Sequence, residues 1–196
     1  MKTEKPSSAL KIMEETGILK IFIPELLEGR GSSQKDSRGY HIFDVLDHNY
    51  YACDASPKEK PLVRLAALFH DIGKPKARTE HCENGALIVN FYNHEVYSEE
   101  ISTKILQRLK FSNAETEKIC NLIKNHMFNY ESSWTDATVR RFIIRVGKEN
   151  LDDLIDLRLS DMGGKYNEPV RMHDNPSVHK IIELKDRINE VLLSSS

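Results

Sequence analysis

Apolar residues recur along this chain at the three-to-four spacing of helices, and turn-forming residues separate the periodic stretches. Leu10, Ile12 and Met13 mark a short first helix, opened by Ser7-Ser8 and stopped by Gly17. An apolar run from Ile18 to Ile23, interrupted by Lys20, reaches Pro24, which starts another short buried helix ending near Gly29. Gly29 to Tyr40 reads as a polar, glycine-rich loop. A helix is predicted from about Phe43 to Ala55, carrying Val45, Leu46, Tyr50 and Tyr51, until Ser56-Pro57 breaks it. The next runs from about Glu59 through Leu65-Ala66-Ala67-Leu68-Phe69-His70-Asp71, with Gly73 and Pro75 read as its stop.

Between Lys76 and Phe91 the period changes. Asn84-Gly85 is a two-residue turn signal and Ala86 to Phe91 is β-prone, so a small hairpin is predicted. Helical spacing then returns in Ile101, Ile105, Leu106 and Leu109, and again in Ile119, Leu122 and Ile123. Val139, Phe142, Ile143 and Val146 follow the cap candidate Thr135-Asp136. Leu151, Leu154, Ile155 and Leu159 mark another helix. A last one, from about Ser177 to Val191, carries Ile181, Ile182, Leu184 and Ile188. The predicted fold class is all-α, with one minor β element.

Composition narrows the class. With 196 residues, 39% apolar and 30% charged, the chain suits a folded domain with a sizeable core. No apolar run approaches the ~20 residues that cross a bilayer, and no hydrophobic region follows the charged start, so neither membrane nor secretion is expected and the cytoplasm is. Cys53, Cys82 and Cys120 are scattered and form no Cys-x-x-Cys. A net charge of −2 argues against a broadly basic nucleic-acid-binding surface.

The candidate chemistry is a set of histidines and aspartates, several at or near predicted helix ends and His48 within its helix: His48, His70, Asp71, His94, His126 and Asp161. From such ends, side chains of different elements can converge on one cation. Imidazole and carboxylate together suit Mn²⁺, Fe²⁺, Zn²⁺, Co²⁺ or Ni²⁺ better than Ca²⁺, which prefers oxygen alone. The alternative is that His70 is a hydrogen-bonded core histidine and Asp71 a cap. Glu95 is a candidate for orienting a ligand or water, and His41 for a structural or supporting role. His81, His173 and His179 read as surface residues, and Trp134 as a core or interface anchor.

The order His48, His70-Asp71, His94, His126, Asp161 resembles the HD superfamily of metal-dependent phosphohydrolases. Flanking text makes the likeness more specific. Asp44-Val45-Leu46-Asp47-His48, Leu65 to Pro75, Phe91-Tyr92-Asn93-His94-Glu95, and Val139-Arg140-Arg141-Phe142 leading to Glu149-Asn150-Leu151-Asp152-Asp153-Leu154 are similar to the C-terminal half of bacterial tRNA nucleotidyltransferases (CCA-adding enzymes) and poly(A) polymerase-like proteins. So is Pro6 to Leu10 through Pro24-Glu25-Leu26. The resemblance implies an HD-domain helical bundle over 41–165, a neck-like segment over 1–40 and a helical extension over 166–196.

It also implies that His48, His70, Asp71 and Asp161 hold one divalent ion (Mn, Fe, Ni, Co, Zn or Mg); one or two ions are expected, with His94 and His126 able to hold the second and Asp71 bridging, as in two-metal members. Asp71 and Lys74 are then the expected catalytic residues. Lys74 is placed to meet phosphate charge, with Arg140 and Arg141 as candidates for further phosphate contact. The expected activity is hydrolysis of a phosphomonoester or 2′,3′-cyclic phosphodiester on a nucleotide or RNA end. The alternative is a tRNA-binding body of a nucleotidyltransferase. The head of that family, with its Gly-Ser motif and Asp-x-Asp metal pair, has no counterpart in these residues, so the chain as given is not expected to add nucleotides.

Overall fold

A computed structural model of the chain describes residues 1–35, 42–165 and 175–194. Among these are ten α-helices, two 3₁₀ helices and one two-stranded antiparallel hairpin, so the fold is all-α with a minor β element. Helix α1 spans Pro6–Glu15 and α2 Ile18–Phe22, and the segment Pro24–Gly29 is 3₁₀ rather than α. Helix α3, Val45–Ala55, starts where Asp44 accepts a hydrogen bond from the Asp47 amide at 2.8 Å. Helix α4 covers Pro61–Phe69, starting two residues later than expected, with Pro61 in its first turn.

The stop after α4 has a different cause from the one expected. Gly73 has φ −83°, no left-handed cap, and the chain at once adds a helical turn, α5 (Lys74–Ala77), with Pro75 inside it. Glycine is required there for space. A Cβ at position 73 would lie 2.5 Å from the Ser98 amide nitrogen and 2.6 Å from the His94 carbonyl.

The hairpin pairs β1 (Arg78–Glu83) with β2 (Ala86–Phe91) across Asn84 and Gly85, at φ 51° and 78°, as the Asn-Gly signal predicts. Helix α6 (His94–Arg108) packs against α7 (Asn113–Asn125), which opens on a Ser112/Glu115 capping box. Helices α8 (Asp136–Val146), α9 (Leu151–Gly164) and α10 (Pro176–Leu193) complete the set.

One cluster of buried apolar side chains runs from Leu10 to Val191 and includes Leu46, Tyr50, Phe69, Leu106, Leu122 and Leu154. Each such side chain contributes roughly 1.5–3 kcal/mol by leaving water. Two residues assigned to apolar stripes face outward instead, Ile12 and Ile182. Trp134 is partly buried against the core and edges onto Tyr130 and Phe142. Helices α3 and α9 meet closely because Gly164 has no side chain: a Cβ there would stand 2.7 Å from the Ala52 amide nitrogen.

Candidate functional site

The six histidines and aspartates converge. His48 comes from the middle of α3, His70 and Asp71 from the end of α4, His94 from the start of α6, His126 from the end of α7 and Asp161 from the last turns of α9. All six are buried. Their donor atoms form two sets that share Asp71.

In the first set, His48 Nε2 lies 3.2 Å from His70 Nε2 and 3.2 Å from Asp161 Oδ1. Asp71 Oδ2 is 3.4 Å from both imidazole nitrogens, and His70 Nε2 is 3.6 Å from Asp161 Oδ1. In the second set, His94 Nε2 lies 3.1 Å from Asp71 Oδ1 and 3.3 Å from His126 Nε2, which is 3.7 Å from the same oxygen.

These spacings fit ligands around a cation. Donors about 2.1 Å from one ion stand about 3.0–3.4 Å apart, from octahedral to tetrahedral geometry. Tautomers point the same way. Nδ1 of His70, His94 and His126 faces the carbonyl of Ala67, Phe91 and Ile123 at 2.7, 2.8 and 2.6 Å. A carbonyl only accepts, so each Nδ1 carries a proton, and in the neutral tautomer, the form that binds a metal, each ring turns its Nε2 lone pair inward. Burial pushes His48 and His126 down, which keeps them neutral. Two inward lone pairs 3.3 Å apart, as in His94 and His126, repel unless positive charge stands between them. The donor set therefore fits a divalent metal, and His48, His70 and Asp161, or His70, Asp71 and His126, can each hold one.

Electrostatics agree. Burial opposes ionisation of Asp71, but His70, Lys74 and the facing imidazoles outweigh it and hold the carboxyl well below its usual range. Asp161 is held down likewise against its burial, by Lys165 and then His48 and His70. For His70, burial pushes down and the two carboxylates push up, with the carboxylates prevailing. The two buried carboxylates are thus held ionised by the positive charge around them, which leaves both as anionic donors facing the centre.

Lys74 is buried beside this centre. Its Nζ donates to Gln34 Oε1 at 2.6 Å and stands 2.6 Å from Asp71 Oδ2, an ion pair whose direction does not make a hydrogen bond. The cluster opens into a cavity of about 450 Å³ whose wall includes Lys74, Glu95, Arg158 and Lys165. Glu95 Oε2 lies 3.8 Å from His94 Nδ1.

Not every sequence-predicted residue arrives here. Arg140 and Arg141 are exposed on α8 and are not among the residues lining the cavity; Arg141 donates to Thr138 instead. His81 and His179 are exposed, and His41 and His173 lie outside the described residues. Sequence reasoning missed Gln34, Arg158 and Lys165. Arg158 donates to Asp161 Oδ2 at 2.9 Å, leaving Oδ1 for the centre. Its place three residues before Asp161 on a helix was a readable signal.

The HD domain profile matches residues 38–187. The chain belongs to the HD domain family. It is 35% identical over 153 residues to an A-adding tRNA nucleotidyltransferase of Deinococcus radiodurans, covering 76% of this chain and 33% of that protein. It is 31% identical over 156 residues to a CC-adding tRNA nucleotidyltransferase of Thermus thermophilus, covering 78% and 34%. A bifunctional uridylyltransferase/uridylyl-removing enzyme of Azospirillum brasilense is 26% identical over 184 residues, covering 80% and 18%. The HD chain thus spans about a third of the two tRNA nucleotidyltransferases. Among its described residues, no helix is long and apolar enough to cross a membrane.

Proposed function

We propose that this HD chain is a metal-dependent phosphohydrolase unit that cleaves a phosphomonoester or a 2′,3′-cyclic phosphodiester on a nucleotide or an RNA end. The observation that carries the reading is the position of Asp71, whose two oxygens face two separate pairs of imidazole Nε2 atoms. His48, His70, Asp71 and Asp161 would hold one ion, and His94, His126 and the other oxygen of Asp71 a second. When bound, such a cation lowers the pKa of a water toward neutrality and offsets phosphate charge. The protein's own groups supply the rest. Lys74 and Gln34 fix the Asp71 carboxylate, Arg158 fixes Asp161, and Lys74, Arg158 and Lys165 bring positive charge to the wall where phosphate oxygens must sit. Similarity to enzymes named for tRNA nucleotide addition and for uridylyl removal supports a nucleotide or RNA end as the phosphate's carrier.

A second reading is favoured by the same relatives. The chain matches about a third of proteins that act on tRNA, so it can instead serve as a tRNA-gripping body for a separate catalytic unit. One comparison separates the two. A hydrolase cleaves bis-p-nitrophenyl or p-nitrophenyl phosphate with added Mn²⁺, Ni²⁺ or Co²⁺, and His70→Ala and Asp71→Ala each lower that rate on the order of 100-fold or more while the far-UV circular dichroism is kept. A binding body shifts tRNA on a gel with steep salt dependence and shows no metal-dependent cleavage.

A further inference from the structure

The cavity has a side that metal chemistry does not use. Its wall continues from the cluster along the end of β2 and the turn into α6, through Asn90, Phe91, Tyr92 and Asn93. Tyr92 is 71% exposed, and among the described residues its ring meets no other ring or cation. Phe91 is half-buried, with Lys74 Nζ 5.4 Å from its centroid. Asn93 sits at a left-handed φ of 59°, and its side chain makes no hydrogen bond to the end of α6. This turn is fixed relative to the centre, because the Phe91 carbonyl accepts the Nδ1–H of His94 at 2.8 Å. Arg158 and Lys165 line the same cavity from α9.

An exposed aromatic alone is unremarkable. An aromatic on a fixed turn, flanked by two amides, opening on a cationic wall and a buried carboxylate–imidazole centre, is a more specific combination. A phosphoester without a base has no use for the ring and the amides. A nucleotide uses every part: its base stacks on the aromatic, its edge bonds the amides, and its phosphate meets cations. The cavity, at about 450 Å³, falls in the size range of small-ligand sites. The wall thus joins aromatic surface at Phe91 and Tyr92 to the cations Lys74, Arg158 and Lys165, the pairing a base with its phosphate requires.

We propose that Tyr92, with Asn90 and Asn93, forms a nucleobase subsite that selects a nucleotide unit, free or at an RNA end, and presents its phosphate to the centre. The placement of the phosphate rests on the phosphohydrolase reading; the stacking does not.

Calorimetric titration of Mn²⁺-loaded protein with AMP and with ribose 5-phosphate tests the subsite directly. Tyr92→Ala is expected to weaken AMP on the order of tenfold and leave ribose 5-phosphate unchanged, whereas Tyr92→Phe keeps AMP affinity. Equal losses for both ligands, no loss for AMP, or no AMP binding to the wild type overturns the proposal. Adding the dinucleotide ApA identifies the source: tighter binding than AMP marks an RNA end, equal or weaker binding a free nucleotide, and both require the loss with Tyr92→Ala. The two readings fail separately. Tyr92-dependent AMP binding without phosphoester cleavage keeps the subsite and removes the hydrolase, and cleavage with base-independent binding does the reverse.

Discussion

Three imidazoles here are oriented by one short-range device. His70, His94 and His126 each give their Nδ1 proton to the carbonyl three residues earlier, which sets the tautomer and aims Nε2 at the centre without help from a distant side chain. Asp71 is the residue this device serves, since both of its oxygens face those nitrogens. Asp71→Asn keeps the shape but removes the shared charge and replaces one acceptor with a donor. Its metal affinity is expected to fall by more than the ~10–100-fold that an outer-shell partner is worth. Metal content of the purified protein, read beside an unchanged circular dichroism spectrum, checks this. The six donors were visible in the sequence because most stand at or near helix ends and their order is distinctive. Gln34 was not, for a physical reason. It comes from a polar loop with no periodicity, and only tertiary packing brings its amide to Lys74, forty residues away.

At the scale of elements, two backbone approaches carry the donors to one place. Gly73 lets α6 press its first turn against the end of α4, and the Gly73 amide donates to Ser98 Oγ at 2.9 Å, which brings His94 beside Asp71. Gly164 does the same for α9 against α3, the helices that carry Asp161 and His48. Gly164→Ala is expected to cost about 1–3 kcal/mol in urea unfolding, the scale of overpacking a close contact, and to weaken metal binding as α3 and α9 part. An unchanged unfolding midpoint counts against this account. Helix periods, the Asn-Gly hairpin and the Thr135 cap were legible because each is a local signal. The role of Gly73 was not, because the sequence shows a glycine after a helix and cannot show the backbone that passes over it. The same holds for Ile12 and Ile182, whose apolar character matches a helical stripe but which turn outward while Leu10, Ile181, Leu184 and Ile188 are buried.

Over the whole molecule, the centre is a place where five helices agree, and its charges set a condition on folding. Asp71 and Asp161 are buried and ionised, and the positive groups beside them are Lys74, Arg158 and Lys165. In the proposed arrangement, divalent cations in the two donor sets would join α3, α4 and α9 through one set and α6, α7 and the end of α4 through the other, and only in the folded state, because the ligands of the first set lie up to 113 residues apart (161 − 48). Binding to the folded state alone adds RT ln(1 + [L]/Kd), about 2.7 kcal/mol at a hundredfold excess over Kd. For a chain of this size that corresponds to a rise of roughly 5–10 °C in Tm. Mn²⁺-loaded protein is therefore expected to melt higher than the same protein in EDTA, with the difference lost in Asp71→Ala. Equal melting of wild type with and without metal, at concentrations that saturate cleavage, would separate the ion from the fold and leave the imidazole pairs without the charge their lone pairs require.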